Sequence, residues 1–210
     1  MFFSTWFIYA AVAIAAIVCP GPAVFLAISN SVTFGWRRVA YSSLGNILGL
    51  LVVSSLAMAG LGALMKTSAS VFMAVKLAGA GYLIHMGLKQ WRSRGSLFTQ
   101  APASGDHRGN RQIFLQGLLI ALTNPKAILF FTALFPQFLR PDRALAPQFL
   151  ILTTTFMFFS FVILMLYGRL ADTARFWFAD ETRSEWFNRV TGGLFLTLGL
   201  GVLRLKARAT

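Results

Sequence analysis

"VCPGPA", residues 18–23, sets two prolines and a glycine inside a run that carries no charged residue from Met1 to Trp36. Proline removes a backbone donor and its ring collides with the preceding turn, so a helix through this run is broken twice within three residues. A run this long and this apolar reads as a membrane span, which needs about 20 mainly apolar residues. A break inside a span frees backbone groups that must face protein or a water-filled cavity.

The rest of the chain supports a membrane setting. Of 210 residues 57% are hydrophobic and 12% charged, the mean hydropathy is +0.68, and the first acidic residue is Asp106. There is too little polar material to coat a soluble core. The net charge of +13 does not indicate nucleic acid, because Lys and Arg stand at the ends of apolar blocks, as in "GWRR" at 35–38 and "QWRSR" at 90–94. Basic residues so placed, with Trp36 and Trp91 beside them, mark the headgroup region of a lipid bilayer. Cys19 is the sole cysteine, so neither an intrachain disulfide nor a thiolate metal cluster can form. Two histidines, and no paired acids within the spans, leave no metal site and no acid–base pair, and the chain does not read as an enzyme or as holding a cofactor. No Lys or Arg precedes Arg37, so the first apolar block reads as a retained span, not a secretory signal.

Reading blocks by length gives six spans, at roughly 4–30, 40–64, 71–90, 113–136, 148–168 and 188–205. The Gly-, Ser- and Pro-containing stretch 93–112 reads as a linker. The mixed segment 169–187, "RLADTARFWFADETRSEWF", reads as a short interfacial helix. Connections after spans one, three and five hold Arg37, Arg38, Lys89, Arg92, Arg94, Arg108, Arg111, Arg169, Arg175 and Arg183. The opposite side, with the C-terminal tail, holds Lys66, Arg140, Arg143, Arg204, Lys206 and Arg208. The richer set is expected in the cytoplasm, with both termini outside.

The halves resemble each other. "VKLAGAGYLIHMGLKQWR" at 75–92 aligns without gaps on "FNRVTGGLFLTLGLGVLR" at 187–204, and "PGPAVFL" in span one corresponds to "NPKAILF" at 124–130 in span four. A three-span unit reverses direction when copied. The expected architecture is therefore an all-α integral membrane protein, one domain over 1–210, with two inverted three-helix repeats at about 4–92 and 113–205. The first and fourth helices are broken at the proline motifs.

Broken ends expose N–H groups at the start of one half-helix and C=O groups at the end of the other, a pairing suited to a zwitterion. Pro20, Gly21 and Pro22, with Asn124 and Pro125, are the candidate substrate-binding backbone. Lys126 is the strongest single side chain, since a charge within the membrane is costly and usually functional; its bland alternative is snorkelling to an interface. Asn124 either contacts substrate or caps the second half-helix. Asn46 adds polar lining in span two, beside Ser42 and Ser43, although polar residues also join helices. Lys76, near the end of span three, is a further candidate ligand. His85, in the same span, is the candidate for proton coupling because an imidazole can both accept and release a proton. Its alternative is a packed, hydrogen-bonded histidine.

Pro20-Gly21-Pro22, Gly79-Ala80-Gly81-Tyr82-Leu83 after Val75-Lys76, and Asn124-Pro125-Lys126 opening "NPKAILFFTALFPQFL" closely resemble the lysine exporter family, which includes the homoserine and threonine resistance exporters. The resemblance runs from about Pro20 to Arg204. It implies a bacterial inner-membrane exporter of amino acids or close derivatives, driven by the proton motive force. The family's three motifs map onto 20–22, Lys76 and 124–126. Many members carry an acid seven residues before a tyrosine in the fifth span, and counting back from Tyr167 reaches Ser160 here. Without an acid in the spans, neutral substrates such as threonine, homoserine or leucine are expected ahead of lysine or arginine. Export of another small solute on the same fold, or a membrane scaffold without transport, are the alternatives, and a homodimer is one open assembly state.

Overall fold

The computed structural model describes residues 3–64, 108–140 and 142–178, with scattered positions within 77–92 and 182–200. The described residues are helical or in short turns, and no strand occurs among them. Helix α1 (Phe3–Val18) and helix α2 (Pro22–Phe34) meet at 55°. A 3-10 turn at Trp36–Arg38 leads into α3 (Val39–Leu64). Helix α4 (Asn110–Thr123) meets α5 (Pro125–Leu129) at Asn124, and α5 continues through a π turn at Phe130–Leu134 and a 3-10 turn at Phe135–Phe138, the two parts lying 48° apart. Helix α6 (Leu145–Phe178) is 34 residues long.

Two stretches, Trp36–Gly60 and Leu145–Ala171, are long and apolar enough to cross a membrane, and each bent pair makes one more if counted as a single span. These four match the expected spans one, two, four and five. Spans three and six fall mostly outside the described residues. Where positions are described, they are helical, and Gly87 abuts Gly192 and Leu196 so closely that a Cβ there would lie 2.9 Å from both.

One expectation is corrected. The segment after Gly168 does not start a separate interfacial helix: α6 runs unbroken to Phe178, because "RLADTARFWF" contains neither Pro nor Gly to stop it. The run after Lys126 is not one regular α-helix. Pro136 has no N–H for the preceding turn, and the chain accommodates this by widening at Phe130–Leu134, where the Phe135 N–H reaches the Phe130 carbonyl, before tightening.

The packing is that of a protein in lipid. Large apolar side chains point outward, among them Phe7, Leu56, Leu119, Leu150 and Phe158, while Asn30, Ser43, Asn46, Asn124 and Ser160 are buried. The α3–α4 seam is built from small residues: a Cβ at Gly117 would overlap the Ser42 carbonyl, and one at Gly45 the Phe114 carbonyl. Such close approach gains van der Waals contact where no hydrophobic drive acts between helices. Contacts fix relative direction. Val39 meets Gly168 and Asn46 meets Ser160, so α3 and α6 are antiparallel. Ser42 meets Gly117 and Gly49 meets Ala121, so α3 and α4 run the same way.

One end of the bundle therefore gathers the Trp36–Arg38 turn, Gly168 and the start of α4, where Arg38 donates to the Arg108 carbonyl at 3.2 Å. Arg169 lies 4.8 Å over the Trp36 ring. The opposite end holds the turn between α5 and α6, where Arg140 forks onto Asp142 at 3.1 and 2.8 Å and holds that carboxyl below its usual range.

Candidate functional site

In a continuous helix the carbonyls of Ala16 and Val18 would accept from residues 20 and 22, but both are prolines. The break is repaired from the other half of the chain. Tyr167 of α6 donates its hydroxyl to the Val18 carbonyl at 2.6 Å. Lys126, the second residue of α5, donates Nζ to the Cys19 carbonyl at 2.7 Å. Leaving a buried carbonyl unpaired costs about 1–3 kcal/mol, so these two bonds hold the break in shape as well as bridging the halves.

Gly21 stands directly under the lysine. Its φ of −159° is ordinary extended backbone, so the need for glycine is one of space: a Cβ there would lie 3.3 Å from Lys126 Nζ and 3.5 Å from Cε. Being glycine, it also has no side chain with which to cap α2, and the first-turn N–H groups of that helix have no intrahelical acceptor. The second break is finished differently. Asn124 Oδ1 accepts from the Lys126 N–H at 3.1 Å, so the cap, of the two roles open to Asn124, is the one formed.

Between the breaks lies a cavity of about 30 Å³, lined by Ala16, Val24, Asn46, Asn124, Lys126 and Ser160 among others. It has room for at most a few water molecules and is far too small for an amino acid. Asn46 donates to Ser160 Oγ at 3.1 Å across it, so the serine at the position counted back from Tyr167 is a lining group. Among the described residues no carboxylate pairs with Lys126, and no cluster of His, Cys, Asp and Glu suits a metal ion.

The structure thus brings Gly21, Asn46, Asn124 and Lys126 together. Pro20 is buried at the break, while the rings of Pro22 and Pro125 are exposed at the starts of their helices. His85 is exposed on its helix, apart from the cavity lining, and Lys76 lies outside the described residues. Lys126 does not snorkel to an interface but turns inward to the first break. Sequence reasoning did not assign Tyr167 or Ser160 to the site. A missing N–H at Pro22 announces that the Val18 carbonyl needs a donor, but nothing in the sequence says which residue supplies it.

The chain is similar in sequence to known proteins. Residues 14–206 match the family model described as LysE type translocator. The chain is 33% identical over 199 residues to the homoserine/homoserine lactone efflux proteins of Salmonella typhi and Salmonella typhimurium, covering 95% of this chain and 96% of each relative. It is 32% identical over 204 residues to an uncharacterized membrane protein of Vibrio cholerae, covering 97% and 98%. No solved structure matches the chain.

Proposed function

The chain belongs to the LysE type translocator family, multi-pass membrane transporters and not enzymes, and we propose that it exports small neutral amino acids and close derivatives, homoserine foremost, from the cytoplasm. The observation that carries this reading is the Lys126 ammonium beside the uncapped start of α2. An ammonium with two hydrogens beyond the one given to Cys19, next to the positive end of a helix dipole, is a receptor for a carboxylate. Ala16, whose carbonyl finds no N–H at Pro20, lines the same cavity, and the carbonyl end of α1 suits the substrate's ammonium. Asn46 and Ser160 offer neutral hydrogen-bonding groups to a short polar side chain. The efflux names of the Salmonella relatives support the substrate class.

In this reading the two matched breaks belong to inverted repeats that rock about the central site. The opposed directions of α3 and α6, and the repairs of one break by the other half, support that arrangement. Export into the medium or periplasm across the inner membrane, driven by the proton motive force, completes the proposal.

The test is efflux. Cells without their own exporters are loaded with dipeptides, and the amino acids appearing outside are quantified with this chain, with Lys126→Met, and with an empty vector. Homoserine or another neutral amino acid is expected outside faster with the chain, and at the vector rate with Lys126→Met at equal membrane abundance. Equal rates in all three would overturn the proposal.

A further inference from the structure

The cavity is bordered by different materials on its two sides. Toward the Arg140–Asp142 end it is sealed by aromatic rings: Tyr9 is fully buried and packs edge-on to Phe130, Phe135 and Phe138, and Phe156 stacks on Phe130 and Phe131. Tyr9 also donates to the Leu152 carbonyl at 3.0 Å. Toward the Trp36–Arg38 end the closing layer is polar, and it is polar in an unusual way. Of the four buried side-chain atoms with no hydrogen-bond partner among the described residues, Thr153 Oγ1 lies on the aromatic side, and the other three, Asn30 Nδ2, Ser43 Oγ and Gln116 Oε1, lie on this one.

All three lie between the cavity and that end. Ser43 stands one turn from Asn46 on the same face of α3, since residues three and four apart share a helix face. Gln116 adjoins Gly117, which abuts Ser42. Asn30 adjoins Ser31, whose hydroxyl binds the Gly168 carbonyl of α6. One residue is about 100° of helix rotation, so the Asn30 and Ser31 side chains leave α2 in different directions. The other described helices packed on α2 are α3 and α4, which carry Ser43 and Gln116. Thus each of three mutually packed helices carries, between the cavity and that end, one buried polar atom without a partner.

A buried polar atom without a partner is costly in a protein interior and more so in a membrane. Three of them raise the free energy of this arrangement relative to a conformation in which water reaches the same atoms. We propose that Asn30, Ser43 and Gln116 form the gate on the Trp36–Arg38 side: closed here, and in the open conformation lining a wetted passage through which the solute reaches Lys126. The interlocked aromatic rings at the other end stay shut while this gate opens. The inference rests on the efflux reading, and it adds residues that the solute meets before the central site.

The test is sided thiol labelling in a Cys19→Ala background, which removes the sole native cysteine. Ser43→Cys and Asn30→Cys are exposed, in vesicles of both orientations, to the membrane-impermeant cation methanethiosulfonate ethyltrimethylammonium. Both are expected to react from the face that carries Arg37 and Arg38, at least about tenfold faster than Leu134→Cys, whose native leucine is buried in the same core cluster as Tyr9 and Phe130, as a minor open state of a few per cent would allow. If neither reacts from that face in folded protein, the layer is structural and the gate is wrong. Ser43→Ala in the native background gives an independent reading. Removal of an unsatisfied hydroxyl should keep or raise the melting temperature while lowering efflux several-fold, whereas unchanged efflux would overturn the gate. Labelling needs no knowledge of the solute, so reactive thiols without any amino-acid flux would count against the efflux reading alone.

Discussion

Lys126 Nζ carries three hydrogens and the Cys19 carbonyl takes one. The remaining capacity points into a space whose floor is Gly21, and this makes the glycine a test of the anion site independent of the lysine's charge. Gly21→Ala sets a methyl 3.3 Å from Nζ. The obstacle is the end of a flexible side chain, so the lysine shifts and the fold survives, but the ammonium is moved from its place beside the α2 start. Efflux is expected to fall several-fold with membrane abundance unchanged; undiminished efflux would show that Nζ need not sit where it does. At this scale the sequence was informative where chemistry was conspicuous. A lysine directly after a proline in an apolar run, and an asparagine before it, stand out. Tyr167 and Ser160 do not, because a tyrosine or serine in a span is equally at home in ordinary helix packing.

Elements carry a second kind of evidence, in the seams and repairs between helices. Tyr167→Phe removes the donor to Val18 at 2.6 Å, and Pro22 cannot replace it. The expected loss is about 1–3 kcal/mol of stability, read as a lower melting temperature in detergent; an unchanged melting temperature would mean that another donor takes over. The α3–α4 seam gives a sharper contrast. Gly117→Ala drives a methyl into the Ser42 backbone, which cannot swing aside, whereas Gly60→Ala meets nothing within 4 Å. Overpacking of this kind costs about 1–3 kcal/mol or more, so Gly117→Ala should lower the melting temperature and membrane abundance while Gly60→Ala leaves both alone. Equal behaviour of the two would contradict the seam. The broken helices were legible in the sequence because proline states its effect locally. The continuation of α6 past Gly168 was not, since mixed charge and aromatics suit both an interfacial helix and the end of a long one. The π turn before Pro136 was also hidden, because the sequence shows the missing donor but not how the chain will absorb it.

Across the whole molecule the decisive quantity is charge. The chain carries +13, the described cavity lining contains the Lys126 ammonium and no carboxylate, and the spans were read from the sequence as free of acid. A substrate carrying a second positive charge must therefore place it in the field of Lys126 without compensation. Two unit charges about 6 Å apart at an effective dielectric of about 20 repel by roughly 3 kcal/mol, a factor of about 100 in binding. Homoserine offers a carboxylate to the same group and is attracted. Its lactone has no carboxylate and keeps only the amine, so the lactone should compete poorly with homoserine for this chain, and lysine and arginine worse. The argument also predicts how the order changes. Lys126→Met removes both the attraction for the carboxylate and the repulsion of the cation, so homoserine efflux should fall far more than any residual efflux of the lactone, and the ratio between them should shift toward the lactone. Measured in the same loaded cells, lysine leaving as fast as homoserine with the unaltered chain would mean that a carboxylate outside the described residues faces the site. A lactone-to-homoserine ratio untouched by Lys126→Met would mean that the ammonium does not meet the carboxylate, and that its bond to Cys19 serves the fold alone.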